Sequence, residues 1–274
     1  MKKVIFIDLD GTLLNDDKVI SVRNMDAIER VKNLGYEVVV CTARAIVTGG
    51  RFAEQIGSHY MLFSSGNIYD FKTQKTICAD VMDSNQIIEI YNTVTYENHE
   101  DVVFIFTDIN GTRFASKRES EQDEVRYKRL VIEGDVGEWI LKNQIVHTFI
   151  VNGDSRILAK IRDNVISKFG NFAVTDQSGC LMDPPHFEGE NPYLGFANIT
   201  SGKGQGVKKF CEMFNISREN RISIGDAFND LSMFDACGYN VAMGNALKDL
   251  KDKADFITDT NNNDGVAKVL ETLK

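Results

Sequence analysis

Short apolar runs and amphipathic stretches alternate near the start of the chain. Residues 4–8 (VIFID) form an apolar run of strand length. Ser21 then begins a stretch whose apolar residues keep near-helical spacing until Gly35: Met25, Ile28, Val31 and Leu34. Residues 37–41 (EVVVC) and 60–64 (YMLFS) have the composition of two further buried strands. Because strands alternate with helices, this region predicts a parallel sheet.

The C-terminal part of the chain repeats this pattern. One set of apolar residues falls at i, i+3, i+4 and i+7: Val207, Phe210, Cys211 and Phe214. A buried strand is predicted at 221–225 (RISIG), and the last helix is predicted from a second set with the same spacing: Val266, Val269, Leu270 and Leu273. The two ends together predict one α/β domain with a Rossmann-like parallel sheet.

The segment between the two ends has a different pattern. Its strands contain more polar residues, and residues 102–116 predict a strand, a tight turn and a returning strand. All three prolines of the chain lie between residues 184 and 192, which indicates that the chain leaves this segment there. We therefore predict an α+β domain at 83–198, inserted between residues 1–82 and 199–274 of the sheet domain.

Composition and net charge indicate which partners, membrane or nucleic acid, the protein can bind. The chain has 274 residues, of which 43% are hydrophobic and 26% charged, as in folded globular proteins. Its apolar runs are far shorter than the roughly 20 residues of a membrane span, and Asp8 interrupts the N-terminal run before a signal-peptide core could form. A net charge of −9 argues against nucleic acid. We expect a cytoplasmic protein with neither a membrane nor a nucleic-acid partner.

The five cysteines support the same compartment. They are odd in number, widely spaced and without a CxxC pair, a pattern that fits a reducing environment and neither a disulfide framework nor a zinc site. The acidic net charge does not exclude a phosphorylated small molecule as ligand, because a pocket can be locally positive, especially around a divalent cation.

One string occurs almost twice, as VIFIDLDGTL at 4–13 and as VFIFTDINGT at 103–112. In the second copy Asn110 stands where the first has Asp10, so the second carboxylate is missing. Asn110 and Gly111 form a strong hairpin signal, since both tolerate the positive φ of a type I′ turn. We predict that the second copy is a hairpin in which Asp108 has a structural role.

The first copy has the setting of a functional site. Asp8 and Asp10 end the first parallel strand, where open α/β sheets bind their ligands. Taken alone, DLDGT is as typical of a structural turn or helix cap as of a functional site. Further polar residues, however, follow the other predicted strands or open the helices beside them: Thr42, Arg44, Lys203, Asp226, Asn229 and Asp230. These groups can converge on one edge of the sheet.

The chemistry of these residues is complementary. A carboxylate can take a phosphoryl group as a nucleophile, and a second carboxylate can protonate the leaving oxygen and later activate water. Asp8 and Asp10 can share these roles only if the chain coils at Gly11, because successive strand side chains point to opposite faces. The clustered carboxylates favour Mg²⁺ as their counter-ion, and Thr42 and Lys203 could hold phosphate oxygens.

Several motifs together resemble one family. DLDGTLL, CTAR, GKG, IGDAFNDLSMFDACGYNVAMGNA and ADFITDTNNNDGVAKVL are similar, in order and spacing, to those of a haloacid dehalogenase (HAD) superfamily phosphatase of the Cof-like type with a type IIB cap. The resemblance covers about residues 1–82 and 199–274. It implies a HAD core with an inserted α+β cap at 83–198.

The resemblance also implies a role for each matching residue. Asp8 would be the nucleophile and Asp10 the general acid/base. Phosphate would be bound by Leu9, Thr42, Lys203 and Asn229. Mg²⁺ would be bound by the Asp8 side chain, the Asp10 carbonyl and Asp226, with Asp230 orienting the set. Arg44 either supports the site or forms an ion pair at a helix start.

The implied function is a Mg²⁺-dependent phosphatase that hydrolyses small phosphate monoesters, such as sugar phosphates or a phosphorylated cofactor, through an aspartyl phosphate. The protein would act as a monomer or homodimer on a small phosphorylated metabolite. A phosphomutase with the same chemistry is an alternative, and so is a non-catalytic sugar-phosphate-binding protein, although the intact acidic motifs argue against the latter. Hexose, pentose and polyol phosphates, pyridoxal phosphate and flavin mononucleotide all remain open as substrates.

Residues of the insert are expected to set specificity. Asp154, Arg156 and the loop 179–185 are candidate contributors, whereas Trp139 is expected to pack in the core of the insert. Two departures from the family pattern, Ser65-Gly66-Asn67 and Ala43, bear on the shape of the pocket rather than on the residues assigned to chemistry.

Overall fold

The computed structural model describes residues 3–64, 66–98, 101–117, 129–169, 172–175, 192–198 and 201–274. The chain divides into two compact units. The first is formed by Met1–Cys78 with Gly202–Lys274, and the second by Ala79–Ser201. The sequence predicted an insert at 83–198. In the structure the second unit begins at Ala79 and ends at Ser201.

The secondary structure alternates in the first unit and is mixed in the second. The strands of the described residues are β1 Lys3–Ile7, β2 Tyr36–Cys41, β3 Tyr60–Phe63, β4 Asn67–Asp70, β5 Lys75–Cys78, β6 Val103–Asp108, β7 Arg113–Ala115, β8 Leu130–Val131, β9 Val146–Asn152, β10 Phe172–Thr175, β11 Tyr193–Asn198, β12 Arg221–Gly225, β13 Tyr239–Ala242 and β14 Phe256–Ile257. The helices are α1 Val22–Asn33, α2 Ile46–Gln55, α3 Ser84–Asn98, α4 Val136–Asn143, α5 Ser155–Phe169, α6 Lys203–Met213, α7 Leu231–Ala236, α8 Lys248–Lys251 and α9 Gly265–Leu270.

The first unit is built on one sheet with the strand order β14-β13-β12-β1-β2-β3-β4-β5. The strands from β14 to β3 are parallel, and β4 and β5 extend the sheet in antiparallel pairing. The predicted α/β fold with a parallel sheet is therefore confirmed. The hairpin of β4 and β5 was not predicted, because its strands are short and mostly half-buried, which leaves little apolar periodicity.

The central strands separate two apolar layers. Ile5 and Ile7 pack with Val38 and Val40 on one face of the sheet. Val4 and Phe6 pack on the other face, where α6 contributes Val207 and Phe210. Because strand side chains alternate between faces, both faces of β1 are buried and its carboxyl end is held rigidly between β12 and β2.

Helix α1 illustrates how local signals set the element boundaries. The Ser21 side chain accepts a hydrogen bond from the amide of Asn24 (3.1 Å), which satisfies a free donor of the first turn. The helix ends at Asn33 with Leu34 as its C-cap, and Gly35 follows with φ +90°. Both ends agree with the sequence prediction.

The second unit contains an α+β fold with its own core. Its sheet has the order β10-β11-β9-β6-β7-β8, in which neighbours are antiparallel except β7 and β8. Trp139 packs against the rings of Phe106 and Phe114, with ring centroids 6.0 Å and 4.7 Å away. The prediction that Trp139 belongs to the core of the insert is confirmed.

The second copy of the repeated string forms the predicted hairpin, because β6 and β7 pair antiparallel. The predicted type I′ turn is wrong: Gly111 has a positive φ (+80°), whereas Asn110 does not. The buried carboxylate of Asp108 instead accepts hydrogen bonds from the amides of Asn110 and Thr112, both at 2.8 Å. Asp108 thus stabilises a longer loop that needs only one left-handed residue.

Two further observations concern membrane-spanning helices and the predicted residues that the structure does not describe. Among the described residues, no helix is both long enough and apolar enough to cross a bilayer. The loop 179–185 and Ser65, which the sequence analysis singled out, lie outside the described residues.

Candidate active site

The loop after β1 coils immediately at the end of the strand. The amide of Asp8 donates a hydrogen bond to the carbonyl of Ile224 (3.1 Å), so Asp8 is still held by β12. Leu13 then donates its amide to the Asp8 carbonyl (3.2 Å), and Gly11 adopts φ +76°. The predicted coil at Gly11 is present. Leu9 has a fully buried side chain, so any phosphate contact at this position must come from its backbone.

Lys203 brings two parts of the site together. It is the first residue of α6, and its Nζ lies 2.6 Å from Asp8 Oδ1 and 2.6 Å from Asp230 Oδ1. All three side chains are buried. Residues that are far apart in the chain therefore form one ion-pair cluster at the carboxyl ends of β1 and β12, as the sequence predicts.

Asp230 organises the loop after β12. Its Oδ2 accepts hydrogen bonds from the amides of Asp226 and Ala227, both at 3.0 Å, while its Oδ1 pairs with Lys203. Gly225 makes room for this arrangement, because a Cβ there would lie 2.6 Å from the Asp230 carboxyl carbon. Both oxygens of Asp230 are engaged, which suits the predicted orienting role rather than direct ligation of a metal.

The cluster carries more negative than positive charge. Carboxylate oxygens of Asp8, Asp226 and Asp230 lie within 4.8 Å of one another, and the ammonium of Lys203 pairs with Asp8 and Asp230. Burial raises the pKa of Asp8 to about 8; Lys203 opposes this, and the neighbouring carboxylates add to it. Burial also raises the pKa of Asp226. Burial lowers the pKa of Lys203, but the attraction of its ammonium to the Asp8 and Asp230 carboxylates is stronger, so the pKa is raised overall.

This donor set fits a hard divalent cation. The ligands on offer are oxygens, which Mg²⁺ prefers, and a cation beside Asp8 and Asp226 would offset the surplus negative charge. It would also let Asp8 ionise near neutral pH, as a nucleophile requires. The residues present therefore fit the metal that the sequence predicts.

Asp10 lies in a second ion-pair cluster. Arg44 Nε and Nη2 each lie 2.6 Å from an oxygen of Asp10, and Lys18 Nζ lies 3.0 Å from Oδ1. Burial would raise the pKa of Asp10, but the hydrogen bonds from Arg44 and Lys18 outweigh it and lower the pKa. Arg44 lies just before α2 and forms an ion pair with Asp10, an arrangement that is compatible with both predictions for Arg44.

Thr42 and Asn229 lie at the expected strand ends. Thr42 is buried after β2, donates its amide to Leu62 (2.9 Å) and accepts the amide of Arg44 through its hydroxyl (3.2 Å). Asn229 is exposed in the short helix Phe228–Asp230.

Three residues of the site were missed by the sequence analysis. The Thr12 hydroxyl donates to Asp226 Oδ1 (2.9 Å), Lys18 pairs with Asp10, and Asn245 Nδ2 donates to the Gly11 carbonyl (2.8 Å). Thr12 lies in DLDGT and Asn245 in AMGNA, two of the motifs that carry the family resemblance, so the sequence could have indicated both residues. Lys18 has a left-handed backbone (φ +60°) that no apolar pattern indicates.

The surplus charge yields a prediction for the metal-free protein. Asp8→Asn should raise the free energy of unfolding by about 1–2 kcal/mol at pH 8, because it leaves Lys203 balanced by Asp230. The raised pKa means that folded Asp8 binds its proton more tightly than unfolded Asp8, so the contribution of Asp8 to the free energy of unfolding falls as pH rises from 3.8 to about 8. Urea denaturation in EDTA at pH 5 and pH 8 should show the variant's advantage mainly at pH 8. An equal advantage at both values would contradict this account.

Comparisons with known proteins identify one family of hydrolases and several phosphatases that are similar to this chain. A family model described as haloacid dehalogenase-like hydrolase matches residues 5–270. The chain is 26% identical to the 5-amino-6-(5-phospho-D-ribitylamino)uracil phosphatase YwtE of Bacillus subtilis (strain 168), over 99% of this chain and 98% of that protein. It is 28% identical to YcsE of the same organism, which has the same described activity, over 98% and 94%. A crystal structure of a haloacid dehalogenase-like hydrolase from Bacteroides thetaiotaomicron superposes with a TM-score of 0.77 at 25% identity, over 99% of both chains.

Proposed function

The chain belongs to the haloacid dehalogenase-like hydrolases, and from this premise we propose that it hydrolyses small phosphate monoesters through an aspartyl phosphate on Asp8, with Mg²⁺ as cofactor. It is a phosphatase that acts on phosphorylated small molecules. The observation that carries the proposed mechanism is the buried ammonium of Lys203, which lies 2.6 Å from both Asp8 and Asp230 at the carboxyl end of the sheet.

In the first proposed step, a carboxylate oxygen of Asp8 attacks the phosphorus of the substrate. A bond forms between this oxygen and phosphorus as the bond to the leaving oxygen breaks. Asp10 takes up a proton from solvent before this step, against the lowering of its pKa by Arg44 and Lys18, and gives that proton to the leaving oxygen. The Lys203 ammonium offsets charge on the phosphoryl oxygens while Asp230 keeps it in place. Thr42, Asn229 and the Leu9 backbone are proposed to bind the remaining phosphate oxygens.

In the second step, Asp10 takes a proton from a water molecule, which attacks phosphorus and breaks the bond to Asp8. Inorganic phosphate leaves, and both carboxyl groups return to their starting states. Arg44 and Lys18 hold the Asp10 carboxylate between these proton transfers. When bound, Mg²⁺ supplies positive charge that brings the Asp8 carboxylate and the anionic phosphate together; Asp8, Asp226 and the Asp10 carbonyl would hold it.

The second unit is proposed to act as the specificity cap. Asp154 and Arg156 form an exposed ion pair in it (3.1 Å), so both side chains are accessible to a ligand. Two similar proteins are named for a phosphorylated ribitylaminouracil, and a polyol phosphate is therefore the first substrate class that we propose for this chain.

Phosphate release should test this function directly. We expect release from at least one member of a panel of hexose, pentose and ribityl phosphates, pyridoxal phosphate and flavin mononucleotide, with Mg²⁺ required and EDTA inhibiting. Asp226→Asn should raise the Mg²⁺ concentration needed for half-maximal rate. Full activity without metal would rule out the role of Asp226, and isomerised product without phosphate release would identify a phosphomutase instead.

A further inference from the structure

The loop that follows β13 contacts both halves of the cluster. Asn245 Nδ2 donates a hydrogen bond to the carbonyl of Gly11 (2.8 Å), in the loop that carries Asp8 and Asp10. Two residues later, the amide of Leu247 donates to the carbonyl of Asp226 (3.0 Å). One short segment therefore fixes the backbone of the nucleophile loop relative to the backbone of Asp226.

The nucleophile loop in turn contacts the Asp226 side chain. The Thr12 hydroxyl donates to Asp226 Oδ1 (2.9 Å). The Gly11 Cα packs so closely that a Cβ there would lie 2.3 Å from Asp226 Oδ2. A shift of the Gly11 peptide would therefore move the Asp226 carboxylate, and it would also move the neighbouring carbonyl of Asp10.

The amide of Asn245 is itself held in one orientation. Its Oδ1 accepts the backbone amide of Asn261 (2.9 Å), which leaves Nδ2 as the group that faces the Gly11 carbonyl. Asn261 is buried, and its Nδ2 donates to the carbonyl of Leu14 (3.1 Å) at the far end of the same loop. The C-terminal turn Asn261–Asn263 thus holds the nucleophile loop, residues 8–14, directly at Leu14 and through Asn245 at Gly11.

We infer that Asn245 is a positioning residue of the metal site, which keeps the Asp10 carbonyl and the Asp226 carboxylate at the spacing that binds Mg²⁺. The inference rests on the proposed function, since it requires that Mg²⁺ binds there. Asn245 acts through the Gly11 peptide and touches neither metal nor substrate. Its side chain is exposed, so replacing it leaves the apolar core untouched.

The test compares three variants by calorimetric titration of Mg²⁺ into the substrate-free full chain. Asn245→Ala and Asn245→Leu both remove the donor, and the second preserves side-chain volume. Each should weaken Mg²⁺ binding about tenfold. Asn263→Ala is the matched control, because Asn263 lies in the same C-terminal turn but donates to Asp259 (3.1 Å), outside the nucleophile loop; its Mg²⁺ affinity should equal that of wild type.

A second readout separates positioning from a general loss of structure. In Asn245→Ala, the Mg²⁺ concentration for half-maximal phosphate release should rise about tenfold, whereas the rate at saturating Mg²⁺ should approach that of wild type. Unchanged Mg²⁺ affinity in both Asn245 variants would overturn the inference, and so would equal weakening in Asn263→Ala. If wild type itself binds no Mg²⁺, the metal assignment of the proposed function fails first, and the inference fails with it.

Discussion

Asp8→Asn should lower the turnover number by about 10⁴-fold or more and abolish phosphoenzyme formation. The amide has the size of the carboxylate but is not a nucleophile, and Lys203 keeps Asp230 as its partner, so the fold should persist. Phosphate release measures the turnover, and acid quenching followed by intact mass measurement detects the phosphoenzyme. Circular dichroism of the variant checks that the loss is chemical.

The repeated string supplies a matched control for this variant. Asp108 follows the same apolar pattern in VFIFTD, but its carboxylate accepts the amides of Asn110 and Thr112. Asp108→Asn should keep the turnover number within a few fold and lower the free energy of unfolding by about 1–2 kcal/mol, because the buried side chain loses a charge-assisted acceptor. If Asp108→Asn removed turnover in a folded protein, the assignment of the two copies would be wrong.

Part of the first unit could be predicted because its central strands β1 and β2 are buried on both faces. β1 is an apolar run that ends abruptly in a polar residue, at Ile7-Asp8, and β12 likewise ends in buried residues before Asp226. The strands β4 and β5 carry no such signal because they are short and include exposed positions. The turn at 109–112 was predicted incorrectly because one side chain, Asp108, supplied hydrogen bonds that the dipeptide rule leaves out.

The site residues could be predicted from the motifs, but most of their partners could not. Asp8, Lys203 and Asp226 each follow a strand or open a helix, so chain order places them at one edge of the sheet. The Thr12 hydroxyl meets Asp226 across 214 residues of chain, and a local pattern contains no information on such a pair. The ion pair between Lys18 and Asp10 likewise depends on a left-handed residue that only the folded loop reveals.

Lys203→Met should damage both stability and turnover. It leaves Asp8 and Asp230 buried without a counter-charge, and losing one partner of a buried ion pair typically costs about 3–5 kcal/mol. Turnover should fall about 10²–10³-fold, since a fixed charge beside the transferring phosphoryl group is lost. Thermal unfolding and phosphate release measure the two effects. Lys208→Met is the control, because Lys208 is exposed on the same helix and should tolerate the change.

The two carboxylates that share Lys203 allow the ion-pair cluster to be dissected. In an Asp8→Asn background only Asp230 still needs the ammonium, so Lys203→Met should cost less stability there than in wild type. The difference between the two costs measures the coupling of Asp8 to Lys203, and for buried groups in direct contact we expect about 1–3 kcal/mol. Urea denaturation of the four proteins in EDTA at pH 8 provides this value. A coupling near zero would show that Lys203 serves Asp230 alone, and the proposed support of the nucleophile by Lys203 would have to be abandoned.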